Sequence, residues 1–382
     1  MKICCIADIH VGVRSYSKVD PQTHFAYREL ETLNTFKQVV TNCIDNHIPV
    51  LLIAGDIYHS SVSSPMLQDE VNKILYYAST NNIKVLILDG NHDLKKLDTA
   101  VSALKPVDTF ELDNIIHTKD WLDTELTING ETVRFIFLPT YSNNQEIASL
   151  LDKHLPKNNK YKNPIITIGH FTMQGAALND WLVAENEEYI DINNFKDRNI
   201  SFVVLGHLHK PQVLQKENPF IFYTGSLQRI DFNEENQPKG YWILDTDDMN
   251  SKFIEMDMQK FYTVNCTIED NGISTFEQIK KKIDPQKVNN AITRVIIEVA
   301  EHLKLTNDEE KDLNKYLQSL HAYSILAIKQ KIIDSKRARN VELNETITVD
   351  KSLEIYYKDQ PRADERIKLG KEVINNFRKL KE

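Results

Sequence analysis

Cysteine is scarce: four in 382 residues (Cys4, Cys5, Cys43 and Cys266), each in apolar surroundings and none in CxxC spacing. That excludes a disulfide framework and a cysteine zinc knuckle, and it reads as small buried hydrophobes in a reducing compartment. No run of 18 or more apolar residues occurs, and the N-terminus MKICCIADIH lacks the charged, apolar and small-residue regions of a secretory leader. A membrane span and export are therefore not expected, and the chain is read as cytoplasmic. Basic charge is also lacking overall, since the net charge is -9. Taken alone, that total argues against a wholly basic, nucleic-acid-binding surface. Local stretches differ from it: KQKIIDSKRARN (329–340) has five basic residues against one acid, and RIKLGKEVINNFRKLKE (366–382) has six against two. Both read equally well as solvated helix faces.

What is present is an ordinary globular composition, 41% apolar and 26% charged, on a chain long enough for two or three domains. Short runs rich in β-branched and aromatic residues predict strands at 2–7, 50–54, 84–89, 133–139, 165–169, 202–206, 220–225 and 241–245. Leu30, Leu33, Phe36, Val39, Val40, Cys43 and Ile44 recur at helical spacing, as do Leu67, Val71, Ile74, Leu75 and Ala78 after Pro65. This is an α/β pattern over residues 1–260. From Phe261 the texture changes to strand, helix, strand, helix, with a helix start at Thr306, which predicts a compact α+β unit over 261–334. The polar stretch 335–352 reads as a linker. Residues 353–382 form a helical tail whose apolar stripe includes Leu353, Ile355, Ile367, Leu369, Val373, Phe377 and Leu380. Such a stripe is either packed on its own chain or held out for a partner.

The chemistry collects where the apolar runs stop. They end in ADIHVG (Asp8, His10), GDIYH (Asp56, His59), GNHD (Asn91, His92, Asp93), IGHF (His170) and LGHLHKP (His207, His209), so six of the twelve histidines sit at five strand ends. In an open α/β sheet those ends converge on one crevice. Each piece alone has a plainer reading: Asp8 as a helix cap, Asn91 as a turn residue, GHxH as two loop histidines. In this order and number the plain readings fail together. Carboxylate, amide and imidazole donors without thiolate suit manganese, magnesium, iron or zinc. Seven candidate ligands (Asp8, His10, Asp56, Asn91, His170, His207, His209) are too many for one ion and suit two, with one shared carboxylate. The spacing of two in Asp8/His10 and in His207/His209 predicts that each pair points to one side of a strand. The glycines before Asp56, Asn91, His170 and His207 are read as tight-turn residues. His24, His47, His117, His154, His302 and His321 lie outside the pattern and are read as surface or core residues.

DxH, GDxxH, GNHD, GH and GHxH in this order resemble the calcineurin-like metallophosphoesterases. DIHVG, GHLHKPQ and YTGSLQRIDFNE (223–234) are similar to the corresponding stretches of the SbcD-type DNA double-strand-break repair nucleases. The resemblance is strong over residues 1–260 and one of layout beyond. It implies a four-layer α/β/β/α sandwich with a small α+β capping domain and a C-terminal helical tail. It also implies two divalent cations, manganese first and magnesium second. Asp8, His10, Asp56 and His209 would hold one; Asp56, Asn91, His170 and His207 the other, with Asp56 bridging. At such a site His92, close to Asp93 in sequence and oriented by another carboxylate, would stabilise the developing charge or protonate the leaving sugar oxygen, and His59 would contact the phosphate or assist proton transfer; some SbcD-like members carry Asp at that second position. The activities implied are double-strand exonuclease and single-strand endonuclease on DNA, with Arg14, Lys18, Lys95, Lys96, Lys210 and Arg229 as candidate phosphate contacts. A coiled-coil ATPase of the SbcC type would dock on the tail, and a homodimer would form through 65–80 and 97–105. The rival reading on the same site is a phosphatase or cyclic-nucleotide phosphodiesterase.

Overall fold

A computed structural model describes residues 1–94, 101–109, 112–177, 189–333, 357 and 363–379. The chain runs β1 (Lys2–Ile6), α1 (Tyr27–Asp45), β2 (Val50–Ala54), α2 (Pro65–Thr80), β3 (Lys84–Leu88), α3 (Lys105–Asp108), β4 (Ile115–Thr118), β5 (Leu122–Ile128) and β6 (Glu131–Phe137). It continues through α4 (Asn144–His154), β7 (Ile165–His170), β8 (Phe202–Gly206), β9 (Gln212–Gln215), β10 (Phe220–Tyr223), β11 (Gly240–Asp245), β12 (Asn250–Glu255) and β13 (Lys260–Thr267). Then come α5 (Thr275–Lys282), α6 (Pro285–Val288), β14 (Ala291–Val299), α7 (Asn307–Ser319), β15 (Ser324–Ile325), β16 (Lys329–Ile332) and α8 (Ala363–Lys379).

Two six-stranded sheets form, ordered β12-β11-β1-β2-β3-β4 and β5-β6-β7-β8-β10-β9. Within each, the sites of interest lie at strands paired in parallel: β1 with β2, β2 with β3, β7 with β8. Alternation along the strands sorts their side chains into layers. Ile3, Cys5, Leu52, Ala54, Leu86 and Leu88 meet Phe135, Phe137, Ile166, Ile168, Val204 and Phe222 in the core between the sheets. Their neighbours Cys4, Ile6, Leu51, Ile53, Val85 and Ile87 face the other way, onto Phe36, Val39 and Val40 of α1 and Val71 and Leu75 of α2. On the far side, Ile136, Ile165, Val203 and Leu205 pack on Ile147 and Leu151 of α4. The order is helix, sheet, sheet, helix, the four-layer sandwich the motifs implied. Each large apolar side chain buried this way contributes roughly 1.5–3 kcal/mol.

The helices start where their caps dictate. Ser64 accepts from the Leu67 amide and Pro65 opens α2. At α1 no cap side chain is available, and Glu29 Oε2 accepts from the Ala26 amide at 2.8 Å instead. In the C-terminal part Thr306 and Glu309 form a reciprocal capping box ahead of α7.

The chain divides into two compact units: residues 1–263 with 285–294 and 317–326, and residues 264–284, 295–316 and 327–382. A third sheet is ordered β13-β14-β15, with β16 also paired to β14. In the second unit, Cys266, Ile279, Val295, Ile297, Val299 and Leu313 are buried. The predicted linker at 335–352 lies outside the described residues, as do Leu353, Ile355 and Leu380 of the predicted stripe. Helix α8 carries Leu369 with 63% of its surface exposed. Among the described residues no helix is long and apolar enough to cross a membrane.

Candidate metal centre

β1, β2, β3, β7 and β8 each end at, or one to four residues before, one of the motif loops, and the loops are laced together. The Asp8 and His10 amides donate to the Gly55 and Asp56 carbonyls at 3.0 Å, and the Val11 amide to Ile57 at 2.8 Å. The backbone there is unusual: Asp8, His10, Asp56 and His207 have φ of 51°, 53°, 55° and 90°. Left-handed conformations in non-glycine residues cost energy and persist where surroundings enforce them, commonly at functional sites. This corrects the same-side argument for Asp8/His10 and His207/His209. Neither pair lies on a strand, and the twisted loops bring the side chains together. The glycine reading also needs adjusting. Gly55 does turn at φ 95°. Gly90 and Gly206 are required by close approach, since a Cβ on Gly90 would lie 2.0 Å from Asp56 Oδ1, and one on Gly206 2.1 Å from the Ala54 carbonyl oxygen.

All seven candidate ligands converge. The donor atoms of Asp8, His10 and His209 lie within 4.8 Å of one another, as do those of Asp8, Asp56 and His170. His10 Nε2 and His209 Nε2 are 2.9 Å apart. Asp56 Oδ2 is 3.7 Å from His10 Nε2 and 3.3 Å from His170 Nε2, within reach of both groups. Asn91 Oδ1 is 3.0 Å from both His170 Nε2 and His207 Nδ1. The His207 amide donates to both Asp8 oxygens, at 3.0 and 3.1 Å. His170 Nδ1 faces the Ala54 carbonyl at 2.7 Å; a carbonyl only accepts, so Nδ1 is the donor and Nε2 faces the cluster.

The electrostatics fit cations. Asp8, His10, Asp56 and His170 are all at most 2% exposed. Burial, with a push from Asp56, raises the Asp8 carboxyl to about 6, although His170 and His209 pull the other way. Burial works against the Asp56 charge too, yet the imidazoles of His170, His10 and His92 hold it well below the usual carboxylate range. Burial lowers His207 to about 4, with His170 adding to it. Burial also opposes charge on His170, but Asp56 and Asp8 lift it to about 9. Packed carboxylates and imidazoles without thiolate, with His10 Nδ1 buried and lacking a protein partner, form a donor set that hard or borderline dications satisfy.

His59 and His92 stack beside this cluster at 5.6 Å, with His10 4.8 Å from His92. The expected carboxylate partner of His92 is corrected: His92 Nδ1 faces the His59 carbonyl oxygen at 2.8 Å. Asp93 is instead wholly buried and accepts from the backbone amides of Tyr58, Gly90 and Ile57 at 2.8, 2.9 and 3.2 Å. Two residues were missed by sequence reasoning. Glu234 Oε1 lies 2.8 Å from His209 Nδ1, and the buried Lys239 ammonium lies 2.5 Å from Glu234 Oε2. Burial opposes ionisation of Glu234, yet His209 and Lys239 hold it at about 2. Only the motif YTGSLQRIDFNE, which ends on Glu234, hinted at it. His117, read as plain surface or core, links Asp89 at 3.0 Å to Asp108 at 2.8 Å.

The candidate phosphate contacts fare differently. Lys18 is exposed, Lys210 half-buried, and Arg14 exposed with its Nε 2.7 Å from Glu29. Lys95 and Lys96 lie outside the described residues. Arg229 is half-buried, and its three nitrogens donate to the carbonyls of Glu235, Gln259 and Gln237 at 3.2, 3.3 and 2.8 Å. These bonds clamp the loop after β10.

The profile of the calcineurin-like phosphoesterase family matches residues 1–211, and the chain belongs to that family. Members of that family use a dinuclear metal centre, and this chain has candidate metal-binding groups in Asp8, His10 and His209 and in Asp8, Asp56 and His170. Among similar proteins, the DNA double-strand break repair protein Mre11 of Archaeoglobus fulgidus is 22% identical over 305 residues, covering 73% of this chain and 64% of its own. The SbcD component of the SbcCD nuclease of Staphylococcus epidermidis is 26% identical over 336 residues, 80% of this chain and 79% of its own. The chain thus spans somewhat less than two thirds of the archaeal protein. A solved dimetal phosphatase from Danio rerio aligns at a TM-score of 0.40 and 11% identity, covering 64% of this chain and 91% of that one.

Proposed function

We propose that the chain is the metal-dependent nuclease component of a DNA repair, recombination or replication complex, hydrolysing phosphodiester bonds as a double-strand exonuclease and single-strand endonuclease in the cytoplasm. The observation that carries it is the convergence of seven donors in one cluster with a histidine, His92, held beside them by a backbone carbonyl. The relatives named for DNA repair and for the SbcCD nuclease favour DNA as substrate. Asp8, His10, Asp56 and His209 would hold one divalent cation and Asp56, Asn91, His170 and His207 the second, manganese or magnesium. When bound, the pair lowers the pKa of a water and neutralises charge developing on phosphate. His92 gives a proton to the leaving sugar oxygen, and His59, stacked on it, contacts the phosphate. Arg14, Lys18 and Lys210, with Lys95 and Lys96, serve as phosphate contacts that position rather than read the duplex.

The test uses end-labelled duplex DNA and p-nitrophenyl phosphate esters, each with manganese or with EDTA. Nucleotide release only with manganese is the expected result. Turnover of the small esters alone would favour the phosphatase or cyclic-nucleotide phosphodiesterase reading.

The partner follows the same reading. Residues 261–334 act as a capping domain, and the tail, including α8, docks an SbcC-type ATPase as a helix laid in a groove. Exposed Leu369, and the excess of basic over acidic residues in 366–382, support a contact there. Ending the chain at residue 335 is expected to keep the metal centre and abolish co-purification with the ATPase; retained co-purification would refute the docking role. α2 leaves Met66, Tyr76 and Tyr77 exposed, which supports homodimerisation through 65–80. Of the other proposed dimer segment, 97–105, residues 97–100 lie outside the described structure.

A further inference from the structure

The loop after β10 carries a buried ammonium that hydrolysis does not use. Lys239 is 0% exposed, and its Nζ lies 2.5 Å from Glu234 Oε2, 2.7 Å from Ser226 Oγ, 3.0 Å from the His209 carbonyl oxygen and 3.3 Å from Gln237 Oε1. One side chain therefore ties down both the carboxylate of Glu234 and the backbone of His209. The second oxygen of that carboxylate is 2.8 Å from His209 Nδ1. A carboxylate that takes a hydrogen bond from an ammonium on one oxygen offers only acceptance on the other, so His209 Nδ1 must donate. The neutral ring then presents its Nε2 lone pair on the side where Nε2 meets His10 Nε2 at 2.9 Å.

We propose that Glu234 and Lys239 are positioning residues that fix the tautomer and placement of His209, and so control retention of one cation of the pair selectively. The inference rests on the dinuclear reading above. The second group, His170 with Asn91 and His207, has its own anchor in the Ala54 carbonyl and touches neither residue among the described contacts. Outer partners of metal-binding histidines are worth about 10–100-fold in affinity.

Because the carboxylate serves His209 on one oxygen and Lys239, with the Ile230 amide at 3.3 Å and Ser226 Oγ at 3.4 Å, on the other, an isosteric amide cannot serve both sides. In Glu234→Gln the single amide oxygen satisfies either Lys239 or His209, and the competition favours the ammonium, turning the amide NH2 toward Nδ1 and forcing the wrong tautomer. Adding Lys239→Met removes the charged competitor and leaves only the long Ile230 amide and Ser226 hydroxyl contacts on that side, so the amide oxygen can accept from Nδ1 again, and it leaves no buried charge unpaired. Manganese titration of the full chain, followed by the electron paramagnetic resonance of free ion, reads both sites, with thermal melting alongside. The parent is expected to bind two ions. Glu234→Gln should weaken one of them about 10–100-fold and spare the other. The double variant should regain part of that loss, a non-additivity that a merely structural role does not produce. Two parent-like sites in Glu234→Gln, equal weakening of both, or a double variant worse than the single would overturn the positioning role. A parent that binds only one ion would overturn the dinuclear reading itself, and this inference with it.

Discussion

His92→Ala is expected to keep both cations and to slow DNA cleavage by about 10²–10⁴-fold, the range over which a positioned general acid acts. Its backbone amide, not its ring, holds Asp56: the amide donates to Asp56 Oδ1 at 2.8 Å, a bond alanine retains. Among the described residues the ring's hydrogen bond is made through Nδ1, to the His59 carbonyl oxygen at 2.8 Å. A carbonyl accepts from Nδ1–H whether the imidazole is neutral or protonated, so the ring holds its orientation through proton transfer. In the proposed mechanism Nε2 is then the atom that carries the proton to the leaving oxygen. Single-turnover cleavage of duplex DNA with manganese, beside metal content by elemental analysis, checks both halves. A variant that cuts at the parent rate would remove His92 from the mechanism, and one that loses its metals would make it a structural residue.

The sandwich was legible because its strands are buried on both faces and read as unbroken apolar runs; all eight predicted strands form, within two residues at each end. The four missed strands of the two six-stranded sheets are edge or half-exposed. β5, LDTELTI, alternates half-buried and exposed residues along its length, and β9 and β12 terminate their sheets. β4 is a four-residue segment half-buried throughout, too short to show a period. Helix α4 was missed although Asn143 and Glu146 form a capping box at its start. The metal-site residues were legible as a set because motif loops follow strand ends. Their geometry was not, since four of them adopt a left-handed backbone that alternation cannot predict. Glu234 and Lys239 act on a histidine 25 and 30 positions earlier in the chain, and no local period relates such residues. The backbone contacts of Arg229 were not legible for the same reason: what its nitrogens bond depends on where the loop at 235–237 and residue 259 come to rest.

Asp93, one position from His92, is expected to behave in the opposite way. Among the described residues its carboxyl group alone accepts from the Ile57, Tyr58 and Gly90 amides, so it staples the loop that carries Asp56 to the loop that carries Asn91. Asp93→Ala leaves three buried amides without an acceptor. At about 1–3 kcal/mol for each orphaned donor, the loss is at least about 3 kcal/mol. That is a large share of the roughly 5–15 kcal/mol that holds a domain folded. At roughly 2–4 °C for each kcal/mol in a domain of this size, the melting temperature should fall by at least about 6–12 °C. Because the two stapled loops supply ligands to both groups of donors, manganese affinity should fall at both sites together, unlike the selective loss expected at Glu234. Differential scanning calorimetry with and without manganese makes the comparison: a melting temperature within about 2 °C of the parent, or full retention of both cations, would show that the loops are held by their strand ends alone. The contrast with His92→Ala then separates, between adjacent residues, the side chain that performs the reaction from the one that builds the place where it happens.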